Sequence, residues 1–111
     1  MEIDASDVAG RVAVVRLDGR LNMVAAPRLK GAVEDVVDGG GTRVVVDLSA
    51  VTFMDSSGLG ALIPALRKAR QSQGDLHIAG VNDQVGTVLQ LTDLDRVLRP
   101  FESVEAASDG W

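Results

Sequence analysis

The run TRVVVDL, residues 42–48, limits the possible folds more than any other stretch of the chain. It is rich in β-branched residues and does not alternate cleanly between apolar and polar, so a strand built from it has no face to give to water. That is the signature of a central strand covered on both sides. The neighbouring segments have to supply the cover.

They read as alternating helices and strands. RVAVVRLDG, residues 11–19, alternates well enough to be a strand, with Ala13, Val15 and Leu17 on one face and Val12, Val14 and Arg16 on the other. From Ala25 the period changes: Leu29, Ala32, Val33, Val36 and Val37 fall at helical spacing, and Pro27 fits the first turn, where its missing N–H costs nothing. DGGG, residues 38–41, stops that helix, because glycine readily takes the left-handed conformation of a helix end. Leu59, Leu62, Ile63 and Leu66 mark a second helix that ends at QGD, residues 73–75. LHIAGV, residues 76–81, is the next strand, and Asn82 can cap a third helix with Val85, Val88 and Leu89 inside. RVLRPF supplies a last short strand and SVEAA a terminal helical turn. The predicted fold class is α/β: a small mixed, mostly parallel sheet with right-handed crossover helices packed on it. Pro64 lies well inside the second helix and is expected to kink it or force a local adjustment.

A chain of 111 residues buries one core and not two, so residues 1–111 are expected to form a single domain with a single site. Sixteen acids against eleven bases give a net charge of −5, which opposes unspecific binding to nucleic acid or anionic membranes. Only Phe53, Phe101 and Trp111 are aromatic, so rows of rings for stacking on bases are missing. The basic run RKAR, residues 67–70, reads as a solvated helix face. The absence of cysteine excludes disulfides, thiolate metal sites and cysteine nucleophiles. No basic-then-apolar leader and no long apolar segment occurs, so the expectation is a cytoplasmic protein without membrane insertion.

The chemistry concentrates in FMDSSGLG, residues 53–60, between the central strand and the second helix. In open parallel sheets this edge commonly carries the ligand or partner site. Asp55, Ser56 or Ser57 can each cap the helix by accepting from N–H groups of its first turn. One capping hydroxyl would leave the other serine for a second task, and the adjacent glycine would let another protein's backbone come close.

Catalysis by this motif is poorly supported. DSSGLG is not the G-x-S-x-G elbow of serine hydrolases, and the one histidine, His77, falls within a predicted strand, where packing is the ordinary role. Gly58 and Gly60 do not form a nucleotide-binding G-x-x-x-x-G-K-[ST] loop, and the scattered aspartates make no metal-binding loop. The chain reads as a non-enzyme that needs no cofactor of its own.

VVVDLSAVTFMDSSGLGALIPALRKAR, residues 44–70, resembles the STAS domain of bacterial anti-sigma factor antagonists. VVRLDGRLNMVAAPRLK, residues 14–30, looks like that family's second strand, loop and first helix, and LTDLDRVLRPFESVEAA, residues 91–107, like its C-terminal part. The resemblance implies a partner switch. The unmodified antagonist binds an anti-sigma factor that is also a serine kinase of the histidine-kinase-like ATPase class, and the kinase phosphorylates the first hydroxyl after the aspartate. The matching residue is Ser56; a phosphoserine phosphatase would reset it, and ATP and magnesium would belong to the kinase. Asn22, Asp55, Ser56, Ser57, Gly58 and Leu59 are the implied partner-binding residues, within a surface formed by the Arg20–Ala25 loop, the motif and the exposed side of the second helix. Asn22 departs from the aspartate common at its place. The same resemblance also fits an adaptor subunit of a membrane transport ATPase, or a switch whose output is not a sigma factor, such as secretion control.

Overall fold

The computed structural model describes residues 2–8, 12–98 and 100–109. Arg11, Arg99 and Trp111 from the segments read above lie outside them. Five strands form one sheet in the order β1-β2-β3-β4-β5. They are β1 (Glu2–Val8), β2 (Val12–Leu21), β3 (Arg43–Met54), β4 (Asp75–Ala79) and β5 (Pro100–Phe101). β1 runs antiparallel to β2 and the remaining neighbours are parallel, so the sheet is mixed and mostly parallel, as the sequence implied.

The helices α1 (Ala26–Asp38), α2 (Ser56–Gln71), α3 (Asp83–Leu91) and α4 (Val104–Asp109) are divided between the two faces. α1, α2 and α3 cover one face, where Leu29, Val33, Leu62, Leu66, Val85 and Leu89 pack on Val15, Leu17, Val44, Val46, Leu48 and Ile78. α4 covers part of the other, where Ala107 and Val104 meet Val12, Val14, Val45 and Ala79. β3 therefore buries Val44 and Val46 in one cluster and Val45 in the other, which is why its sequence cannot alternate. Each fully buried leucine or valine contributes about 1.5–3 kcal/mol, so the three-helix side carries most of the stability. A short 3₁₀ turn at Leu94–Arg96 leads into β5.

His77 is packed, as its place in a strand suggested: it is 2% exposed, and Nδ1 donates to the Ala107 carbonyl at 3.0 Å. Its ring stacks on Phe101 with centroids 4.8 Å apart, so the histidine fastens α4 and β5 to the sheet.

The structure differs from the sequence reading in four places. β1 is a strand that the alternation did not reveal; Glu2 and Asp4 face solvent, and the pairing with Asp18 and Arg16 of β2 defines it. β3 continues to Met54 instead of stopping near Leu48, because residues 50–54 still pair with β2 through two register shifts. The first helix is closed by Gly39 at φ −82°, not by a left-handed glycine; the left-handed residue is Gly40, at φ +99°. α2 is assigned as one helix straight through Pro64. Proline offers no N–H to the carbonyl four residues earlier, and that residue is the exposed Gly60, where solvent can take the place of the lost bond.

Candidate functional site

The site forms where β2 and β3 run past the rest of the sheet. β4 stops at Ala79, opposite Asp47, so residues beyond this point on β3 have a strand neighbour only in β2. Side chains of α3 take over the open edge. Asn82 donates through Nδ2 to the Val51 carbonyl at 2.9 Å while its Oδ1 caps α3 by accepting from Val85. Gln84 clasps the Met54 peptide, accepting from its N–H at 2.9 Å and donating to its carbonyl at 2.8 Å. Two amide side chains thus act as the missing strand and fix the residue from which the motif departs.

Asp55 is the helix cap. Its backbone is extended, with φ −106° and ψ −175°, and Oδ1 accepts from the Gly58 N–H at 2.9 Å. The division of labour expected between two serines is therefore corrected: the acid caps, and neither hydroxyl does. Ser56 and Ser57 are the first two helical residues; Ser56 is exposed and Ser57 half-buried. None of the hydrogen bonds among the described residues involves the Ser56 hydroxyl.

Gly58 serves a different neighbour from the one its sequence suggested. It is buried and faces Leu21 of the same chain; a Cβ there would meet Leu21 Cγ at 2.7 Å and collide with the Leu21 carbonyl oxygen. Gly60, by contrast, has open space around it and is the glycine that another backbone can approach. Leu59, expected on the partner face, is 4% exposed and packs in the core, so it positions the motif from beneath.

The β2–α1 loop is built by Asn22. Its Oδ1 accepts from Val24 N at 3.1 Å and Ala25 N at 3.2 Å, and its carbonyl accepts from Ala26 N at 2.9 Å. The amide oxygen does what a carboxylate oxygen would do here, with one negative charge fewer. The loop presents Met23 and Val24 to solvent, 71% and 77% exposed. Met23 joins Pro27, Ser57, Gly60, Ala61 and Pro64 around a shallow groove of about 400 Å³ between α1 and α2. The structure thus brings Asn22, Asp55, Ser56 and Ser57 to one edge, beside an apolar groove. A wider hollow of about 580 Å³ at the start of α3 shares no residue with the motif.

Sequence reasoning missed Gln84 and Leu21. Gln84 had one available signal, a glutamine in the first turn of a capped helix, but its partner lies 30 residues away and only the fold brings them together. Among the described residues no group of histidines or acids is placed to hold a metal ion, and no helix is long and apolar enough to cross a membrane.

Comparison with known proteins agrees with this architecture. The pattern that defines the STAS domain matches residues 5–107. The chain is 30% identical over 91 residues to the anti-sigma-B factor antagonist of Staphylococcus aureus, covering 82% of this chain and 84% of that protein. It is 30% identical over 92 residues to the anti-sigma-B factor antagonist of Listeria monocytogenes, with coverage of 83% and 80%. Its backbone superposes on the crystal structure of an anti-sigma factor antagonist from Mycobacterium paratuberculosis with a TM-score of 0.87, at 29% identity and coverage of 98% and 92%.

Proposed function

This chain belongs to the STAS domain family, and on that premise we propose that it is an anti-sigma factor antagonist that works by partner switching and is controlled at Ser56. Unmodified, it binds an anti-sigma factor that is also a serine kinase of the histidine-kinase-like ATPase class. Docking uses the Asn22–Ala25 loop, the motif and the groove between α1 and α2. The kinase transfers the γ-phosphoryl group of its ATP to the Ser56 Oγ: the new O–P bond forms as the β–γ anhydride breaks, ADP leaves, and the hydroxyl proton passes to a base of the kinase. The chain is substrate and ligand, not catalyst. It acts in the cytoplasm, and a phosphoserine phosphatase restores it.

The observation that carries this reading is the cap. Because Asp55 satisfies the helix start, the exposed Ser56 hydroxyl is not needed for folding and is available for modification. A phosphate there adds about −1.5 to −2 charges at a helix N-terminus. The helix dipole favours an anion by about 0.3–1 kcal/mol, small against a domain stability of about 5–15 kcal/mol, so the fold persists. A hundredfold loss of partner affinity needs only about 2.7 kcal/mol, which a desolvated phosphate beside the Asp55 carboxylate can supply.

The test is intact-mass and peptide-mapping spectrometry of the chain purified from its own cells together with its bound proteins. A phosphate on Ser56 in part of the population, with a kinase bound to the unmodified part, is the expected result. A chain that is never phosphorylated and that brings down a transporter ATPase would replace the switch with an adaptor.

A further inference from the structure

Beside the exposed tip of the β2–α1 loop lies a second cavity, of about 470 Å³, lined by Gly19, Arg20, Asn22, Val24, Ala25 and Arg28. Its charged lining is two arginines, and Asn22 between them in sequence is neutral. This is a local reversal of sign in a chain with net charge −5. Arg20 is held in place: its guanidinium carbon lies 4.6 Å from the centroid of the Phe53 ring, a cation–π contact that limits the freedom of the side chain. Arg28 stands in the first turn of α1, where the helix dipole disfavours a cation, so helix stability does not account for it. The cavity is continuous with the docking surface, because Val24 belongs to both and the preceding Leu21 accepts from the Asp55 N–H at 3.3 Å.

We propose that this cavity receives a carboxylate side chain of the docking kinase, and that Arg20 and Arg28 set which kinases the chain accepts. The inference rests on the partner-switch reading and adds the chemistry of the partner. A guanidinium offers a planar fork of donors that matches a carboxylate in two bonds, and one arginine already immobilised by an aromatic ring loses less freedom on pairing. Both arginines are exposed, so their contribution falls mainly on the association rate and its salt dependence. A kinase with a basic residue at the same place would be repelled.

The experiment measures association of the full chain with the kinase copurified from its own cells, at low and at high ionic strength, for wild type, Arg28→Glu, Arg20→Glu, the two lysine variants and Ser56→Asp. Circular dichroism of each variant establishes that it is folded. Each glutamate variant should slow association on the order of tenfold at low salt and flatten the salt dependence, while the lysine variants stay near wild type. Reversing one acid on the kinase to lysine should restore association with Arg28→Glu. Unchanged rates and salt dependence in both glutamate variants, with Ser56→Asp still weakening the complex, overturn the carboxylate cavity and leave the switch standing. A wild-type chain that binds no kinase overturns both. Saturable binding of inorganic phosphate at Arg20 and Arg28, with kinase association indifferent to the substitutions, makes the cavity a free-anion site and overturns the docking role.

Discussion

The Leu21 carbonyl and Gly58 are packed so closely that no side chain fits between them, and the same carbonyl accepts from the Asp55 N–H at 3.3 Å. One backbone oxygen at the end of β2 therefore sets where α2 begins and where Ser56 is presented.

Gly58→Ala should be strongly destabilising, because the added methyl must push β2 and α2 apart. Overpacking of this kind costs about 1–3 kcal/mol, and about 4–8 °C of Tm accompanies each kcal/mol in a domain near this size. Gly60→Ala is the control. With open space around Gly60, it should gain about 0.5–1 kcal/mol from helix propensity alone. Thermal unfolding followed by circular dichroism measures both, and equal effects would show that the contact with Leu21 is not limiting.

Asp55→Ala removes the α2 cap and should cost about 0.5–2 kcal/mol, with Asp55→Asn or Asp55→Ser recovering most of it. Urea unfolding gives the values. If Asp55→Ala proved neutral, a serine would be capping in its place and the Ser56 hydroxyl would not be spare.

Gln84→Glu keeps the shape of the clasp on Met54 but swaps the donor to its carbonyl for a carboxylate oxygen. A half-buried carbonyl left without its donor costs about 1–3 kcal/mol. The loosening should be local, visible as faster amide hydrogen exchange at residues 51–55 with the protection of β2 and α1 retained. Uniformly faster exchange would mean that Gln84 supports the whole fold instead of this edge.

Ser56→Asp should weaken the kinase complex with little change in Tm, and Ser56→Ala should bind but resist phosphorylation. Calorimetric titration with the kinase and a melting curve for each variant separate the two effects. A Ser56→Asp variant that binds as tightly as wild type would count against charge at this position as the signal.

Lys68 of α2 meets Asp38 of α1 at 2.9 Å, and the hydrogen bond and charge of that carboxylate hold its ammonium above the ordinary lysine value of 10.5. Since the folded state binds this proton more tightly, the contribution is complete below about pH 10.5 and is lost as pH rises through the raised value. The group is exposed, so the effect on stability is small. An NMR titration of the Lys68 side chain should show a higher midpoint in wild type than in Asp38→Asn; identical midpoints would remove the ion pair from solution.

The order of strands and helices from β2 to α3 was legible because burial on both faces of β3 and at 3.6-residue spacing on α1 and α2 writes directly into residue type. The motif was legible for the same reason that it resembles a family: its acid, serines and glycines are side chains, and side chains are what a sequence records. β1 was not legible. Its exposed Glu2, Asp4 and Ser6 give it no strand-like composition, and only pairing with β2 holds it extended. The cap was equally hidden, since Asp55, Ser56 and Ser57 are interchangeable in capping chemistry and differ only in the backbone angles imposed where β3 ends. Gly58 needed the structure because its neighbour is the Leu21 backbone, and a backbone carbonyl has no letter in the sequence. The sequence by itself determined which residues are buried and which can carry chemistry; the tertiary structure decided which oxygen caps the helix and which remains exposed, because that depends on contacts between segments some 30 residues apart.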